Sequence, residues 1–433
     1  MRLPPTLAPL RHPDFRRLLA AHALSRFGTE LALVAVAFAV LQSVPSAGAL
    51  GLVLAARTLP NVVFLVFGGV WADRLPRARV MVSSDLVCAI VQGTLATAVL
   101  SGHATVWLIV VLQAMLGAAS AFFPPAATGL TPVTVPGSEL QRANGLLGLV
   151  SNAAGMLGPA VSGVLVAAAA PGWALLTDAA TFLLSASLLL ALRHRSQVEP
   201  KVGGLPRRVG RELAEGWHEV SSRPWLVAGI AQGLLFQACF AGFFTLGPVI
   251  ARSSLGGADA WGVLVTGFGA GSLIGSMLSL RLRPARPLVA MQVALLVCTP
   301  AMAALSGIGW LPALMAATAL AGAGFAAADA FWETTLQRET PQDRLGRVAA
   351  FDRIGSSCLR PFGYLIAGSA AAAAGQHATL RGASLLLALS VPVVVLLVPQ
   401  VRRLRSRPDP PSTLRSRWRQ RPPGAESLCP ERK

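Results

Sequence analysis

Long apolar runs alternate with short polar gaps along the whole chain. Most runs extend over about 20 residues, the length that an α-helix needs to cross the hydrocarbon core of a bilayer. Glycine, proline and charged residues mark the gaps between them. The pattern predicts an all-α polytopic membrane protein with twelve spanning helices, near residues 16–42, 47–71, 79–101, 104–129, 143–169, 172–193, 224–250, 258–281, 287–306, 310–335, 347–370 and 379–401.

The composition agrees with this pattern. The chain has 433 residues, of which 54% are hydrophobic and only 13% are charged, and its mean hydropathy is +0.60. Water-soluble domains carry about 25% charged residues, so most of this chain cannot face water. Spanning β-barrels would show short segments of alternating polarity, which the sequence lacks.

The polar gaps divide the chain into four regions. Residues 1–193 form a predicted six-helix half, and residues 194–223, the longest polar stretch between helices, form a cytoplasmic linker. Residues 224–401 form a second six-helix half. Residues 402–433 are rich in Arg, Pro and Ser, a composition that predicts a disordered basic cytoplasmic tail.

The positive charges predict the orientation. The formal net charge is +18, but the basic residues lie between apolar runs and in the tail rather than in one patch, which argues against a nucleic-acid partner. If the N-terminus is cytoplasmic, all but six of the 37 Lys and Arg fall in cytoplasmic segments, and the external loops hold only Arg252 and Arg381. This distribution follows the positive-inside rule, so both termini are predicted to be cytoplasmic.

The two halves resemble each other. RLPRAR at 74–79 corresponds to RLRPAR at 281–286, each between the second and third helices of its half, and PGSELQRAN at 136–144 corresponds to PQDRLGRVA at 341–349. A repeat of six helices in the same orientation is typical of duplicated transporter halves. Asp73, however, has Leu280 as its counterpart. Topology therefore explains the arginines of this loop but not its aspartate.

Charges inside the spans are candidates for function, because a charge at the bilayer centre costs about 2.5–3.5 kcal/mol on insertion scales. Arg26 and Glu30 are four residues apart on the first helix, so they share a face and can pair. Arg57 lies about 15 Å into the second helix, near the level of Glu30. We expect Glu30 to be the proton-coupling site, tuned by Arg26 or by a contact with Arg57. A permanent structural ion pair is the alternative.

Further charges lie closer to the ends of the spans. Arg360 is deeper and is expected to face a cavity and attract an anionic substrate, whereas Asp178, near the external end of the sixth helix, is expected to be interfacial. Four residues near the cytoplasmic ends of the tenth and eleventh helices are candidate gate or latch groups between the halves, or merely interfacial charges: Asp329, Glu333, Asp352 and Arg353.

Aromatic residues on the seventh helix predict a cavity wall suited to a bulky amphipathic substrate. Such stripes also pack against lipid or a neighbouring helix, so both interpretations stay open. The residues are Gln232, Phe236, Gln237, Phe240, Phe243 and Phe244.

The segment GVWADRLPRAR at 69–79 resembles the loop motif of the major facilitator superfamily. The resemblance implies the fold of two six-helix halves and a latch, in which Asp73 meets the start of the eleventh helix in the outward-facing state. Carboxylates are stabilised at helix N-termini by about 0.3–1 kcal/mol, which is weak enough to break in every cycle. The residues assigned to this latch are Gly69, Asp73, Arg74, Arg77, Arg79 and, at the start of the third helix, Asp85.

Small residues in the fifth helix follow the spacing of a motif associated with exporters of that superfamily: Gly145, Ala154, Gly158, Pro159 and Gly163. Ordinary small-residue packing is the alternative. Segments such as LAARTLPNVVF and GRVAAF resemble the secretion-type exporters, which include siderophore (enterobactin-type) and macrolide exporters. Gln113 stands where many proton-coupled exporters carry an arginine, so the resemblance places proton coupling elsewhere.

Together these features predict a secondary active transporter that exports a small amphipathic molecule, such as an antibiotic, siderophore or other secondary metabolite, by alternating access and proton antiport. Its expected partners are the substrate, protons and the bilayer of a bacterial inner (plasma) membrane, in which it is a monomer. No enzyme activity, cofactor or metal is expected, and the sequence holds no GxxxxGK[ST] nucleotide-binding loop. Lipid or lysolipid flipping, uptake, or a non-transporting receptor or scaffold remain alternatives.

Overall fold

The computed structural model describes residues 5–192, 217–282, 284–341, 348, 352 and 358–405, and for residues 5–6 and 66–74 it describes the backbone alone. Twelve long helices follow one another in the described chain. They are α1 Pro13–Ser43, α2 Ala47–Arg74, α3 Arg77–Leu100, α4 Val106–Thr134, α5 Leu140–Ala168, α6 Pro171–Leu190, α7 Pro224–Ile250, α8 Ala258–Arg281, α9 Pro287–Leu305, α10 Leu311–Glu339, α11 Arg360–Ala374 and α12 Gln376–Leu397.

The helices confirm the predicted all-α membrane fold. Within the described residues, eleven helical segments are long and apolar enough to cross a membrane. The exception is α11, of which 15 residues are described. Most of the segment from 347 to 359, where this span is predicted to begin, lies outside the described residues, as does most of the predicted linker and tail.

Proline explains where two of the spans depart from prediction. The fourth span is interrupted after Ser120 and resumes at Phe123, and the ninth is interrupted after Leu296 and resumes at Thr299. In each case a proline follows at the first or second position of the new segment. Proline has no backbone N–H to donate to the carbonyl group one turn earlier, so it interrupts a helix. In the first turn of a new helix that N–H would have no intrahelical partner, so proline is well tolerated there. The fourth span also continues to Thr134, five residues beyond its predicted end.

Helices α1–α6 pack mainly among themselves, and so do α7–α12. In the first set α1 contacts α5 and α6, α3 contacts α6, and α2 contacts α4; in the second set α8 contacts α10, and α7 contacts α11 and α12. The two sets meet chiefly along two helix pairs, α2 with α11 and α5 with α8. These pairs occupy equivalent places in the two sets, as the internal repeat predicts.

The contacts between the sets are tight at one side of the molecule. We call the side where α1 begins and α12 ends the terminus side, and the opposite side the far side. Near the far side, a Cβ atom on Gly163 would lie 2.8 Å from the carbonyl oxygen of Ala258, and one on Gly262 would lie 2.7 Å from that of Pro159. A Cβ on Gly368 would similarly lie 2.9 Å from Cα of Gly48. Glycine therefore lets the backbones meet there.

Candidate functional site

A cavity of about 930 Å³ lies between the two helix sets. Its lining begins near the far side at Pro248 and Trp261 and extends to Glu333 and Leu280 near the ends of α10 and α8, so it opens toward the terminus side. The volume is in the range of sites for drug-sized molecules. The far-side glycine contacts close its other end.

The wall formed by α1 and α2 is polar. Arg26 donates from Nη2 to Oε1 of Glu30 at 2.9 Å, as their spacing predicts, and both residues line the cavity. Helix α5 approaches this pair closely, because a Cβ on Gly158 would lie 2.7 Å from Cβ of Glu30. The ion pair therefore lies where the cavity wall meets the packed interior of the first set.

Arg57 lines the same wall but has a different partner. Its Nη1 donates to Oε1 of the fully buried Gln113 at 3.4 Å. Both Arg57 and Glu30 are described, and no ion pair joins them, so of the two arginines considered as partners of Glu30 only Arg26 contacts it. The reason is the packing of α4 on α2, where Gly117 lies against the carbonyl group of Arg57. Arg57 on α2 thus contacts Gln113 on α4, the position at which many related exporters are expected to carry an arginine.

Asp85 lies in the interior of the first set. Ser25 donates to its Oδ1 at 3.4 Å and Ser185 donates to its Oδ2 at 2.5 Å, which joins α1, α3 and α6. Asp85 also lines the cavity. In this structure its hydrogen bonds go to these two serines rather than to the loop at 73–79, with which the sequence analysis had grouped it.

Asp178 is completely buried, so the expectation that it is interfacial is wrong. It lies 7 residues into α6, where α1 covers it: a Cβ on Gly28 would collide with its carboxyl group. Sequence reasoning judged Asp178 by its distance from the helix end and missed this. The available signal was the spacing of polar residues, since Asp85 and Gln92 on α3, and Asp178 and Ser185 on α6, are each 7 apart.

The opposite wall, from the second set, is aromatic. Five aromatic side chains of the second set line the cavity, namely Phe244, Trp261, Phe268, Phe325 and Tyr364, and the first set adds Phe123 and Phe182. Phe236 and Phe240, expected in the wall, are instead buried: their rings stack on each other with centroids 5.1 Å apart, and Phe236 stacks on Phe325. They support the wall from behind, because residues four apart on α7 share the face that packs into the second set.

The two candidate glutamines of α7 are also not in the cavity lining. Gln232 is buried, and its Nε2 donates to Oγ of Ser390 on α12 at 2.9 Å. Gln237 is half-buried and lies outside the residues that line the cavity.

Arg360, at the start of α11, faces the cavity as expected. Its guanidinium carbon lies 5.8 Å from the ring centroid of Phe244 and 5.9 Å from that of Tyr364. These distances place the cation within range of both π-systems. The aromatic wall therefore carries one positive group held between two rings.

The acidic candidates of α10 line the cavity nearer the terminus side, at Asp329 and Glu333. Asp352 accepts a hydrogen bond from Nε1 of Trp332 at 3.0 Å, so it ties its own segment to α10. Its neighbour Arg353 lies outside the described residues.

Three of the six residues of the predicted latch lie where the structure describes the backbone alone, namely Gly69, Asp73 and Arg74. Arg79 is exposed, whereas Arg77 donates to the backbone carbonyl of Gly129 in α4. The described part of the loop therefore joins helices of the same set.

The small residues of α5 separate into two groups. Near the terminus side, a Cβ on Gly145 would meet nothing within 4 Å. Farther along, Ala154 is buried, Gly158 packs on α1, and Gly163 and Pro159 pack on α8. The far-side end of this helix is thus a close interface between the sets, while its other end borders open space.

This architecture of two helix sets around a central cavity defines a multi-pass membrane transporter. The chain belongs to the Major Facilitator Superfamily, whose sequence model matches residues 18–357. Membership places it among transporters rather than enzymes.

Similar proteins include two named efflux systems. The chain is 28% identical over 410 residues to the multidrug efflux pump Tap of Mycolicibacterium fortuitum, an alignment that covers 89% of this chain and 96% of that protein. It is 25% identical over 268 residues to macrolide efflux protein A of Streptococcus pyogenes, which covers 61% of this chain and 65% of that protein. The match to the macrolide protein thus spans slightly less than two thirds of its length.

Solved structures share the fold at low sequence identity. The nucleoside transporter NupG superposes with a TM-score of 0.73 at 12% identity, covering 88% of this chain and 99% of NupG. A bacterial homologue of the human lysosomal transporter Spinster, in an inward-facing and unoccupied conformation, gives 0.72 at 16% identity, covering 93% and 100%. At these identities the likeness concerns the fold alone.

Proposed function

We propose that this protein exports a small amphipathic molecule from the cytoplasm by alternating access, in exchange for protons. The observation that carries the proposal is the cavity itself, which is open at the terminus side and closed at the far side. The first set lines it with Arg26, Glu30, Arg57 and Asp85, and the second set lines it with five aromatic side chains together with Asp329, Glu333 and Arg360. The efflux functions named for its relatives support the direction of transport.

The orientation follows from the distribution of positive charge, which assigns the terminus side to the cytoplasm of a bacterial cell. With that assignment, the structure represents the state that loads substrate for export. A monomer suffices, because the cavity is formed within one chain.

The return step requires the far-side contacts to separate. Those contacts are backbone approaches at glycine, which involve close packing rather than strong ion pairs, so they can break and re-form in every cycle. The terminus side would then close, and α5 has open space there, near Gly145 and Gly148. The loop at 69–79, with Asp73 and Arg74, is the proposed latch of that second state.

Glu30 is the proposed coupling acid of the cavity wall. In the present state Arg26 neutralises it. A substrate that binds only while the Arg26–Glu30 pair is intact would favour the charged form of Glu30, since an opposite charge nearby favours that form, and would therefore expel a proton from it. Proton binding and substrate binding then compete through one ion pair, which is the requirement for antiport.

The substrate is proposed to place its apolar body against the aromatic wall. Phe244, Phe268 and Phe325 offer ring faces, and Arg360 offers a cation for an acidic or electron-rich group. Antibiotics, siderophores and other secondary metabolites combine these features.

Purified protein in proteoliposomes tests the function. With an imposed pH gradient, we expect accumulation of at least one member of a panel containing macrolides, tetracyclines, a siderophore and a lysolipid, together with substrate-evoked proton movement. Collapse of the gradient by a protonophore should abolish accumulation. Accumulation that survives the protonophore would contradict antiport. Movement of the lysolipid alone would favour a flippase, and binding without movement would favour a receptor.

A further inference from the structure

A seam of polar side chains runs between α3 and α6, inside the first helix set and behind the cavity wall. Asp85 and Gln92 are 7 residues apart on α3, and Asp178 and Ser185 are 7 apart on α6. Seven residues are close to two helical turns, so each pair lies on one face of its helix. The two helices are antiparallel neighbours, so Asp85 lies opposite Ser185 and Gln92 lies beside Asp178. We call these four residues the α3–α6 seam.

The seam is sealed from solvent, with Asp85 1% exposed and the other three residues fully buried. Asp85 receives two hydroxyl hydrogen bonds, as described above. Within the described residues, by contrast, neither carboxyl oxygen of Asp178 has a hydrogen-bond partner, and neither does the amide of Gln92. The Thr181 hydroxyl donates to the backbone carbonyl of Asp178 at 2.7 Å, and the side chains of Thr181 and Gln92 are the polar groups beside its carboxyl group.

Burying these polar groups without hydrogen-bond partners lowers the stability of the fold, so packing does not explain them. An unsatisfied buried polar group costs about 1–3 kcal/mol, and an ionised carboxylate without a partner costs far more. Acids inside membrane spans are therefore candidates for proton transfer. The groups with charge that act on Asp178 are Arg57 from α2 and Asp85 from α3; the α1 residue that covers it is Gly28.

The two acids lie at different depths. Asp178 is about 10 Å along α6 from the far side, and Asp85 is about 12 Å along α3 from the terminus side, at 1.5 Å per residue. Asp85 lines the terminus-side cavity, whereas Asp178 is outside its lining. In this conformation one acid thus adjoins the open cavity and the other is closed off from it.

We propose that Asp178 is a second proton-binding site, in addition to Glu30, and that Asp85 connects it with the terminus-side cavity. This inference rests on the proposed antiport. In the present state the Asp178 carboxyl group is neutral and holds one proton. When it ionises, that proton passes to water that enters the seam between α3 and α6, because Asp178 and Asp85 are about 10 Å apart and too distant for direct transfer. The water delivers the proton to the Asp85 carboxylate, which releases it to water in the cavity. Asp178 regains a proton from the far side once the cavity opens there.

The test compares wild type with Asp178→Asn, a change that keeps the side-chain shape but cannot carry a proton. Proteoliposomes clamped at zero membrane potential report the number of protons moved per substrate molecule and the limiting accumulation. Counterflow of labelled substrate, which needs no net proton movement, reports binding and alternation. Asp259→Asn is the control, because Asp259 is an exposed acid at the start of α8.

We expect Asp178→Asn to retain counterflow while its proton-to-substrate ratio falls about twofold. At a gradient of one pH unit, losing one of two protons lowers the limiting accumulation about tenfold, since each factor of ten corresponds to about 1.4 kcal/mol. The control should keep the wild-type ratio. An unchanged ratio in Asp178→Asn would overturn the second site but not the export function, whereas absence of proton movement in wild type would overturn both. Sodium-driven transport in wild type would likewise overturn a proton role.

If Asp178→Asn does not yield folded protein, Ser185→Ala provides the second variant. It removes the hydroxyl group that donates to Asp85 and leaves both acids in place. We expect substrate-evoked proton release to slow several-fold with counterflow intact. Unchanged release kinetics in Ser185→Ala would reject the proposed path.

Discussion

The two helix sets of this transporter share a fold but differ in what they enclose. The interior of α1–α6 holds the Arg26–Glu30 pair, the Arg57–Gln113 contact and the acids Asp85 and Asp178. The corresponding region of α7–α12 holds a continuous aromatic cluster in which Phe236, Phe240, Phe243, Phe244, Phe268, Phe325 and Trp261 contact one another.

The two sets therefore have helix contacts in equivalent places but different interior chemistry. Packing rules fix which helices meet, and both sets obey them in equivalent places. Function depends on the side chains placed on that scaffold. We therefore propose a division of labour, in which the first set handles protons and the second set accommodates the apolar body of the substrate.

Glu30→Gln should have the largest effect on coupled export, because it removes the acid through which the first set is proposed to handle protons. We expect uphill export at one pH unit to fall about tenfold, the loss of one coupled proton, while counterflow continues. Proteoliposome accumulation and counterflow measure the two quantities, with Asp259→Asn as the control. Wild-type accumulation in Glu30→Gln would show that the Arg26–Glu30 pair is structural.

Two phenylalanine variants should distinguish the rings that line the cavity from the rings that pack behind them. Phe268→Ala, which changes the cavity surface, should weaken substrate binding about tenfold, because burying a phenylalanine ring contributes about 1.5–3 kcal/mol. Phe240→Ala, behind the wall, should mainly lower stability, by about 3–5 kcal/mol. Substrate Kd and thermal unfolding of the purified protein distinguish the two. The reverse result would place Phe240 in the binding surface.

Arg360→Gln should show whether the second set recognises charge as well as apolar surface, since Arg360 is the cation within its aromatic wall. We expect about fivefold weaker binding of a substrate that carries a carboxylate, corresponding to about 1 kcal/mol, and little change for the methyl ester of the same compound. Binding of the matched pair to wild type and variant provides the measurement. Equal losses for acid and ester would indicate a role in shaping the wall rather than in recognising charge.

The smallest effect should come from Gln232→Leu. Gln232 is a buried amide of the second set that donates to Ser390, and it joins two helices away from the cavity. We expect a change in unfolding free energy of about 1 kcal/mol or less and the wild-type proton-to-substrate ratio. A changed ratio would mean that proton handling is not confined to the first set.

Local sequence was enough to predict contacts within a single helix. Arg26 and Glu30 pair because residues four apart on a helix are neighbours. Contacts between helices were harder to predict from sequence. Arg57 was one of two arginines considered as a partner of Glu30, and it contacts Gln113 instead, since the rotation of α2 is set by its packing on α4. The same applies to Phe236 and Phe240, whose pattern is equally compatible with a cavity wall and with a packed core.

The sequence by itself determined the class of protein and the approximate limits of its helices, whereas the orientation implied by its positive charges stays a prediction. Each of these depends on hydrophobic length and on charge near the membrane surface, which are properties of consecutive residues. Only the tertiary structure decided that Asp178 is buried beside Gln92, that Gly163 and Gly262 close the far side, and that aromatic side chains of the second set face the Arg26–Glu30 pair across the cavity. These facts depend on which faces of distant helices meet, and side-chain packing alone fixes that rotation.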